Sequence, residues 1–511
     1  MKKMIIIILY ILIYTSIIYG QSFNVLHNAI AYTATAQLGV NNYVAVGSIS
    51  DTGSIQRNLI SHFDSLGVEL SRDTLFLRND TYAETHNYNC FKNLQNGTHI
   101  LAATVTKVNP NIPIGILVKF NKNMTDTAWT RSYRYDTAQT AIMAVAELNN
   151  GNILIGCNTA QNTGIIELVM VMFDSTGNKI WEKKLSPYPV VYYENTPRVI
   201  LPLPNGHILV GGFIGTSWQR NTNNGFLFEI DSLGNKLWQQ IFDGGYADDA
   251  VQAVLIPNSN EMVVLQWQAM FPKNPPSYLN SVYGRVKAYK INWQTHQTMA
   301  SNYINSGVQG YILSNPIIIN DKIVYQYYAL NNSWSKVEGI GVINTNLDSL
   351  YSTRYLPNTE STSNPNAVPS YNIYGINIMI DGSIITAGWF YTPPTPVLFP
   401  QGGQYGWLMR LDSMGCFISG CWVGTEQSVV NDTKIQVFPN PAHSELTIQY
   451  PDFNHTQIII SDVLGRPQKT LSLQSETTTI SIANLSNGFY YVSMYQNGRL
   501  LPSRKLLVLP E

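Results

Sequence analysis

The sequence predicts an all-β protein, a seven-bladed β-propeller followed by a small C-terminal immunoglobulin-like β-sandwich. Two observations predict it. A tight turn flanked by apolar strands recurs at Asn42, Asn96, Asn150, Asn205, Ser259, Asn320 and Asp381, at spacings of 54, 54, 55, 54, 61 and 61 residues. From Lys434 onward that period stops and shorter alternating runs replace it. A strand-rich repeat of this length has the size of one propeller blade. A blade buries its faces only against its neighbours, so seven of them must close a ring.

The clearest unit spans Leu148 to Leu185, LNNGNILIGCNTAQNTGIIELVMVMFDSTGNKIWEKKL. Asn150-Gly151 is a tight-turn pair, because Gly takes positive φ without a Cβ clash and Asn tolerates it. The strand ILIGC leads through a polar loop to ELVMVMFD, and Asp174-Ser175-Thr176-Gly177 turns the chain into KIWEKKL. The corresponding second strands elsewhere read YVAVGS, THILAAT, HILVGG, EMVVLQW, KIVYQYY and SIITAGW. A strand precedes each first turn, as in AIMAVAEL, so each unit is a meander of four strands. Gln21 to Asn28 is predicted to supply the strand that closes the ring.

Only 12% of the 511 residues are Asp, Glu, Lys or Arg, and the net charge is −1. An average soluble protein carries about 25%. With no basic stripe and no nucleic-acid motif, nucleic acid is excluded as a partner. Residues 1–20, MKKMIIIILYILIYTSIIYG, have the charged start and apolar run of a secretory signal peptide, with a cut before Gln21. Nothing after Gln21 is apolar for long enough to span a bilayer. Four cysteines fit an exported chain. Cys416 and Cys421 flank a short turn-forming segment and are predicted to form a local disulfide, whereas Cys90 and Cys157 either pair or stay as small buried hydrophobes.

The units around Asp174, Gly177 and Trp181, and around Asp231, Gly234 and Trp238, resemble the blades of bacterial quinoprotein-like propellers. Those families share an Asp-x-x-Gly-x-x-x-Trp signature whose Trp packs between blades. The resemblance implies fold only, since no set of quinone- or calcium-binding residues and no adjacent-cysteine pair accompanies it. Residues 424–433 read as a linker between the propeller, 21–423, and a terminal domain, 434–511. That last stretch resembles the type A C-terminal sorting domain of the type IX secretion system of Bacteroidetes. The matching residues are Phe438-Pro439-Asn440-Pro441, Asp462, Gly465-Arg466, Leu485, Gly488, Tyr490 and Lys505, with Pro467 as a departure. The resemblance implies an outer-membrane translocon and a sorting peptidase as partners, and delivery to the cell surface or medium.

In a propeller the turns joining strands one to two and three to four share one face, and the remaining loops share the other. Here the first face carries the short turns and the second the variable loops, where binding residues usually sit. Trp218, Arg220, Phe271, Tyr278, Trp334, Tyr391, Phe399 and Tyr405 are the candidate ligand-binding residues, as stacking platforms for a glycan or anchors for a protein. No cofactor is expected. Calcium is the one ion with a donor set, Asp243, Asp248 and Asp249 in FDGGYADDA, though the same residues read as turn caps. No histidine falls in a metal-ligand pair, and no Gly-x-Ser-x-Gly elbow or phosphate-cradling loop is present. A binding or adhesion module is therefore the expected function. The alternative, a carbohydrate-active enzyme, requires at least two carboxylates in the central mouth, Asp243, Asp248 or Asp249 first among them.

Overall fold

The computed structural model describes residues 23–509 apart from 28–30, 40–41, 51–55, 76–81, 86–89, 109–110, 161–164, 187–193, 216–222, 244–247, 270–283, 305–308, 312–315, 320, 331–335, 355–369, 393–402, 413–435, 452, 454–455, 463–466 and 497–498. The regular elements among these are strands throughout. None of the described residues forms a helix long and apolar enough to cross a membrane. The chain divides into two compact units, Met1–Ser419 and Gly420–Glu511.

The first unit is the seven-bladed propeller. Blade 1 is the meander Ala31–Gly39, Asn42–Ser50, Gln56–Phe63 and Glu69–Leu75, and the same antiparallel order recurs around the ring. Blade 7 takes three strands from Ser370–Ile378, Ile384–Thr392 and Gly403–Leu411. Its fourth is Phe23–His27, paired from Phe23↔Arg410 to His27↔Gly406. The predicted closing strand is thus the outer strand of the last blade. Between blades 2 and 3, 3 and 4, 4 and 5, 6 and 7, and 7 and 1, the first strands lie against one another. Second strands are buried on both faces, as Ile208–Gly215 is along its whole length, hence their unbroken apolar runs. Fourth strands face solvent, Thr298–Ile304 almost entirely.

The seams between blades are built by the short turns. In blades 1 to 6 an Asp or Asn at the end of the third strand accepts hydrogen bonds from backbone N–H groups two to four residues on. Asp174 Oδ1 takes Thr176 N and Asn178 N at 2.9 Å, and Asp231 Oδ1 takes Leu233 N and Asn235 N at 2.9 and 2.8 Å. These bonds hold the Asp174 and Asp231 carboxyls below the usual carboxylate range; at Asp174 the Thr176 hydroxyl is the largest cause, and at Asp231 the bonds outweigh desolvation. The Trp of one blade then docks on the turn of the next. Trp181 donates its indole N–H to Ser232 O at 3.1 Å, and Trp129 donates to Ser175 O at 3.3 Å. Trp238 instead stacks on His296, with ring centroids 4.2 Å apart. His296 adopts φ 61° in the turn of blade 5, where blade 4 has Gly234. The seam is completed by the Glu229 carboxylate, buried, with His207 Nδ1 2.5 Å from one oxygen and His296 Nε2 2.5 Å from the other.

Gly234 sits at φ +79°, and a Cβ there would lie 3.0 Å from the Trp181 ring. Gly234→Ala is expected to cost about 2 kcal/mol, combining left-handed backbone strain with crowding of the indole. Trp181→Ala removes the other half of the same contact. The two changes together should cost less than the sum of the singles, a non-additivity that a double-mutant cycle in urea measures.

The second unit is a two-sheet sandwich. One sheet holds Gln436–Phe438, Glu445–Gln449 and Thr477–Ser481; the other holds Pro467–Ser472, Thr456–Asp462, Gly488–Gln496 and Arg499–Val508. Leu446, Ile448 and Ile480 from the first meet Ile458, Ile460, Val492, Met494 and Leu506 from the second in one core.

Candidate functional site

The first strands do not run evenly through the ring. In blades 1, 3, 4, 5 and 7 the register to the second strand shifts between Tyr32/Ala34, Ile142/Ala144, Pro197/Val199, Asp248/Val251 and Ile373/Gly375. In blades 2 and 6 the first strand breaks into two pieces, Tyr82–Thr85 and Phe91–Asn93, and Gln309–Tyr311 and Ile317–Ile319. Each first strand is therefore interrupted on its way through the ring, and bulges of this kind re-aim side chains at functional sites. The residues that fall within these register shifts include Thr33, Met143, Arg198 and Tyr374. Opposite three of the bulges stand Gly47, Gly212 and Gly388, where any Cβ would collide with the carbonyl of Ala31, Thr196 or Asn372. The glycines let the first strand come close enough to bulge.

Blade 7 makes the most of this arrangement. Tyr374, the bulged residue, accepts the indole N–H of Trp389 on its hydroxyl at 2.8 Å and an amide N–H of Asn372 at 3.3 Å. Strand alternation puts Tyr391, two residues beyond Trp389, on the same sheet face, opposite Gln404. Trp389 and Tyr374 are half-buried and Tyr391 is 45% exposed, so the group forms an aromatic wall with amide edges at the variable-loop end of the blade. In blade 4 the guanidinium of Arg198 lies 5.6 Å from the centre of the Phe213 ring, and Phe213 holds the second-strand position that corresponds to Trp389. A polar chain lies nearby: Asn158 Nδ2 donates to Thr196 Oγ1 at 2.8 Å, and Thr196 Oγ1 donates to Glu194 at 3.1 Å.

Of the eight candidate binding residues, Trp218, Arg220, Phe271, Tyr278, Trp334 and Phe399 lie outside the described residues. Tyr391 and Tyr405 are described, and the structure separates them. Tyr405 pairs with Phe390 and shares its face, so Tyr391 on the next position points to the other side of the sheet. Trp389 and Tyr374, which the sequence reading did not single out, are the residues that accompany Tyr391. Asp248 and Asp249 belong to the start of the first strand of blade 5, Asp248–Leu255, rather than to a loop between blades, and their side chains lie outside the described residues. Asp243 is exposed. Among the described residues no three His, Cys, Asp or Glu side chains converge to hold a metal ion. Cys416 and Cys421 fall outside the described residues.

In the terminal sandwich the sequence motif has a mechanical role. Asn440 Oδ1 accepts the Leu507 backbone N–H at 2.9 Å, Ala442 N donates to Leu507 O at 2.8 Å, and Leu509 N donates to Ala442 O at 2.9 Å. Phe438-Pro439-Asn440-Pro441 thereby ties the exit of Gln436–Phe438 to the strand Arg499–Val508. Tyr490 is buried and donates to Ser486 O at 2.7 Å, Leu485 packs on the core, and Gly488 opens its strand at φ +152°. Asp462 accepts from Gln468 at 3.2 Å, and Lys505 pairs with Tyr491 in the strand register. Gly465 lies outside the described residues.

Residues 436–508 match the family described as the secretion system C-terminal sorting domain. The chain is thus a cargo of type IX secretion, exported to the cell surface or the medium. No curated protein matches the chain. Solved structures similar to it include a protein of unknown function from Dyadobacter fermentans, 12% identical, at TM-score 0.42 over 65% of this chain and 99% of that one. Others are the GH93 α-L-arabinofuranosidase of Fusarium graminearum, 12% identical, at TM-score 0.41 over 63% and 91%, and a quinohemoprotein alcohol dehydrogenase from Pseudomonas putida, 10% identical, at TM-score 0.39 over 77% and 76%. At this level the likeness carries no argument about activity.

Proposed function

We propose that the exported propeller is a binding or adhesion module for an extracellular glycan or protein, held at the variable-loop mouth. The aromatic wall Tyr374–Trp389–Tyr391, edged by Asn372 and Gln404, supports this reading. Flat rings stack on the apolar faces of sugars, and amides read the hydroxyls around them. On this reading residues 1–20 are removed as a signal peptide, 21–423 form the passenger, and 434–511 engage the translocon and are cut off by a sorting peptidase within or near 424–433.

The test is binding of the mature propeller to a glycan array and to extracellular matrix proteins. Tyr391→Ala should weaken the best ligand by about tenfold, the value of one lost aromatic contact, without lowering the melting temperature. Equal affinity in wild type and variant would remove blade 7 from the site. A second reading, a carbohydrate-active enzyme, draws on Glu194 and Asp248, the residues that open the first strands of the adjacent blades 4 and 5. It predicts release of short sugars from a polysaccharide, lost in Glu194→Gln; binding without any released product excludes it.

A further inference from the structure

We propose that Cys90 and Cys157 are joined in the exported protein by a disulfide that staples blade 2 to blade 3. Neither is bridged in the structure, but both are fully buried and belong to one core cluster shared by the two blades. Cys90 stands at the break in the first strand of blade 2, where its carbonyl accepts from Ala102 N at 2.7 Å. Its sulfur reaches across the seam to 3.5 Å from the Ile142 carbonyl in blade 3. Ile142 is the direct cross-strand partner of Cys157. Antiparallel partners have Cα atoms about 5 Å apart, so the Cys90 sulfur stops beside the residue facing Cys157. Cys157 occupies the second-strand position held by Gly47, Gly212 and Gly388 in other blades, opposite Ile142 and beside the bulge.

The compartment supplies the chemistry. A cargo of the type IX route passes the periplasm, where thiols meet protein disulfide oxidants. One thiolate of the pair attacks the oxidant's disulfide and forms a mixed disulfide. The second then displaces the oxidant, so the Cys90–Cys157 bond forms, two electrons pass to the oxidant and its two sulfurs leave as thiols. Burial pushes the Cys157 thiol far up, and the nearby Cys90 adds to that shift. Thiolate is therefore scarce inside the closed seam, and the bond must form before blades 2 and 3 have packed.

Mass spectrometry of the full chain exported by its own bacterium decides the matter, after unfolding, alkylation without reductant, and digestion. The expected result is a linked peptide pair containing Cys90 and Cys157, split by reductant. The reduced protein should melt on the order of 5 °C lower, since the bond closes a long loop. Protein refolded from the reduced state without an oxidant should, once folded, resist both alkylation and added oxidised glutathione at these two sites. Alkyl groups on both cysteines of the exported protein would overturn the proposal, as would either one bonded to Cys416 or Cys421. Cys90→Ala/Cys157→Ala serves as the control, and its melting temperature should not respond to reductant; a response there would assign the shift to another pair.

Discussion

A chain ending at Val430 should accumulate in the periplasm while the full chain reaches the surface or the medium. The sandwich that would be lost is a complete folding unit with its own core, and the match to sorting domains covers nearly all of it. A finer version separates the address from its fold. Asn440→Ala leaves every core residue in place but removes the acceptor for the Leu507 N–H. It should cost about 1–2 kcal/mol in the isolated sandwich and reduce export in proportion to the fraction unfolded. Fractionation followed by mass spectrometry of the chain ends reads both variants. Export of the truncated chain at the normal level would make the last domain a passenger module and not an address.

The second large effect is expected where the ring closes. Val25 packs into the core between blades 7 and 1, and Leu26 into that between blades 6 and 7, so the closing strand buries one side chain on each face. Val25→Asp/Leu26→Asp should cost on the order of 4 kcal/mol, because both carboxylates would be half-buried without a partner. Blade 7 should then exchange its amide hydrogens faster than blades 3 and 4. Leu66→Asp, at a site 49% exposed, is the control and should change little. Acid acts at the same place. His27 is held below its ordinary value of 6.5, first by burial, against the opposing charge of Glu69. His62 is lowered as well, also first by burial. A lowered histidine pKa means the fold holds the neutral ring, so its contribution is complete above pH 6.5 and is lost as pH falls from there toward the folded value. Urea midpoints should therefore decline below pH 6.5, and His27→Gln should flatten that decline.

The blade count and the closing strand could be read from spacing because each blade repeats the same physical problem at the same interval. The seams were only half legible. The Asp-x-x-Gly-x-x-x-Trp pattern exposed Trp181 and Trp238 but hid Trp129, which stands one residue further from Asn121 and follows a turn where Met124 takes φ 54° in place of glycine. His296 replaced glycine in the same way, so its stacking partner Trp238 was visible and it was not. The bulges left a trace, a glycine at one fixed place in three second strands, but their cause is a close approach of backbones that no periodicity reports. Of the aromatic wall only Tyr391 was legible, for a related reason. Binding rings are expected in loops, whereas Trp389 and Tyr374 stand on strands and meet only because a bulge turns Tyr374 toward the indole.

The pairing of Phe23–His27 with Gly403–Leu411 also imposes an order in time. Phe23–His27 leaves the ribosome long before Gly403–Leu411, its partner in the sheet, so most of the passenger must exist before the ring can shut. The sorting sandwich is synthesised later still. A ribosome that stops early yields a chain that lacks both closure and destination, and the secretion machinery need not inspect the propeller to reject it.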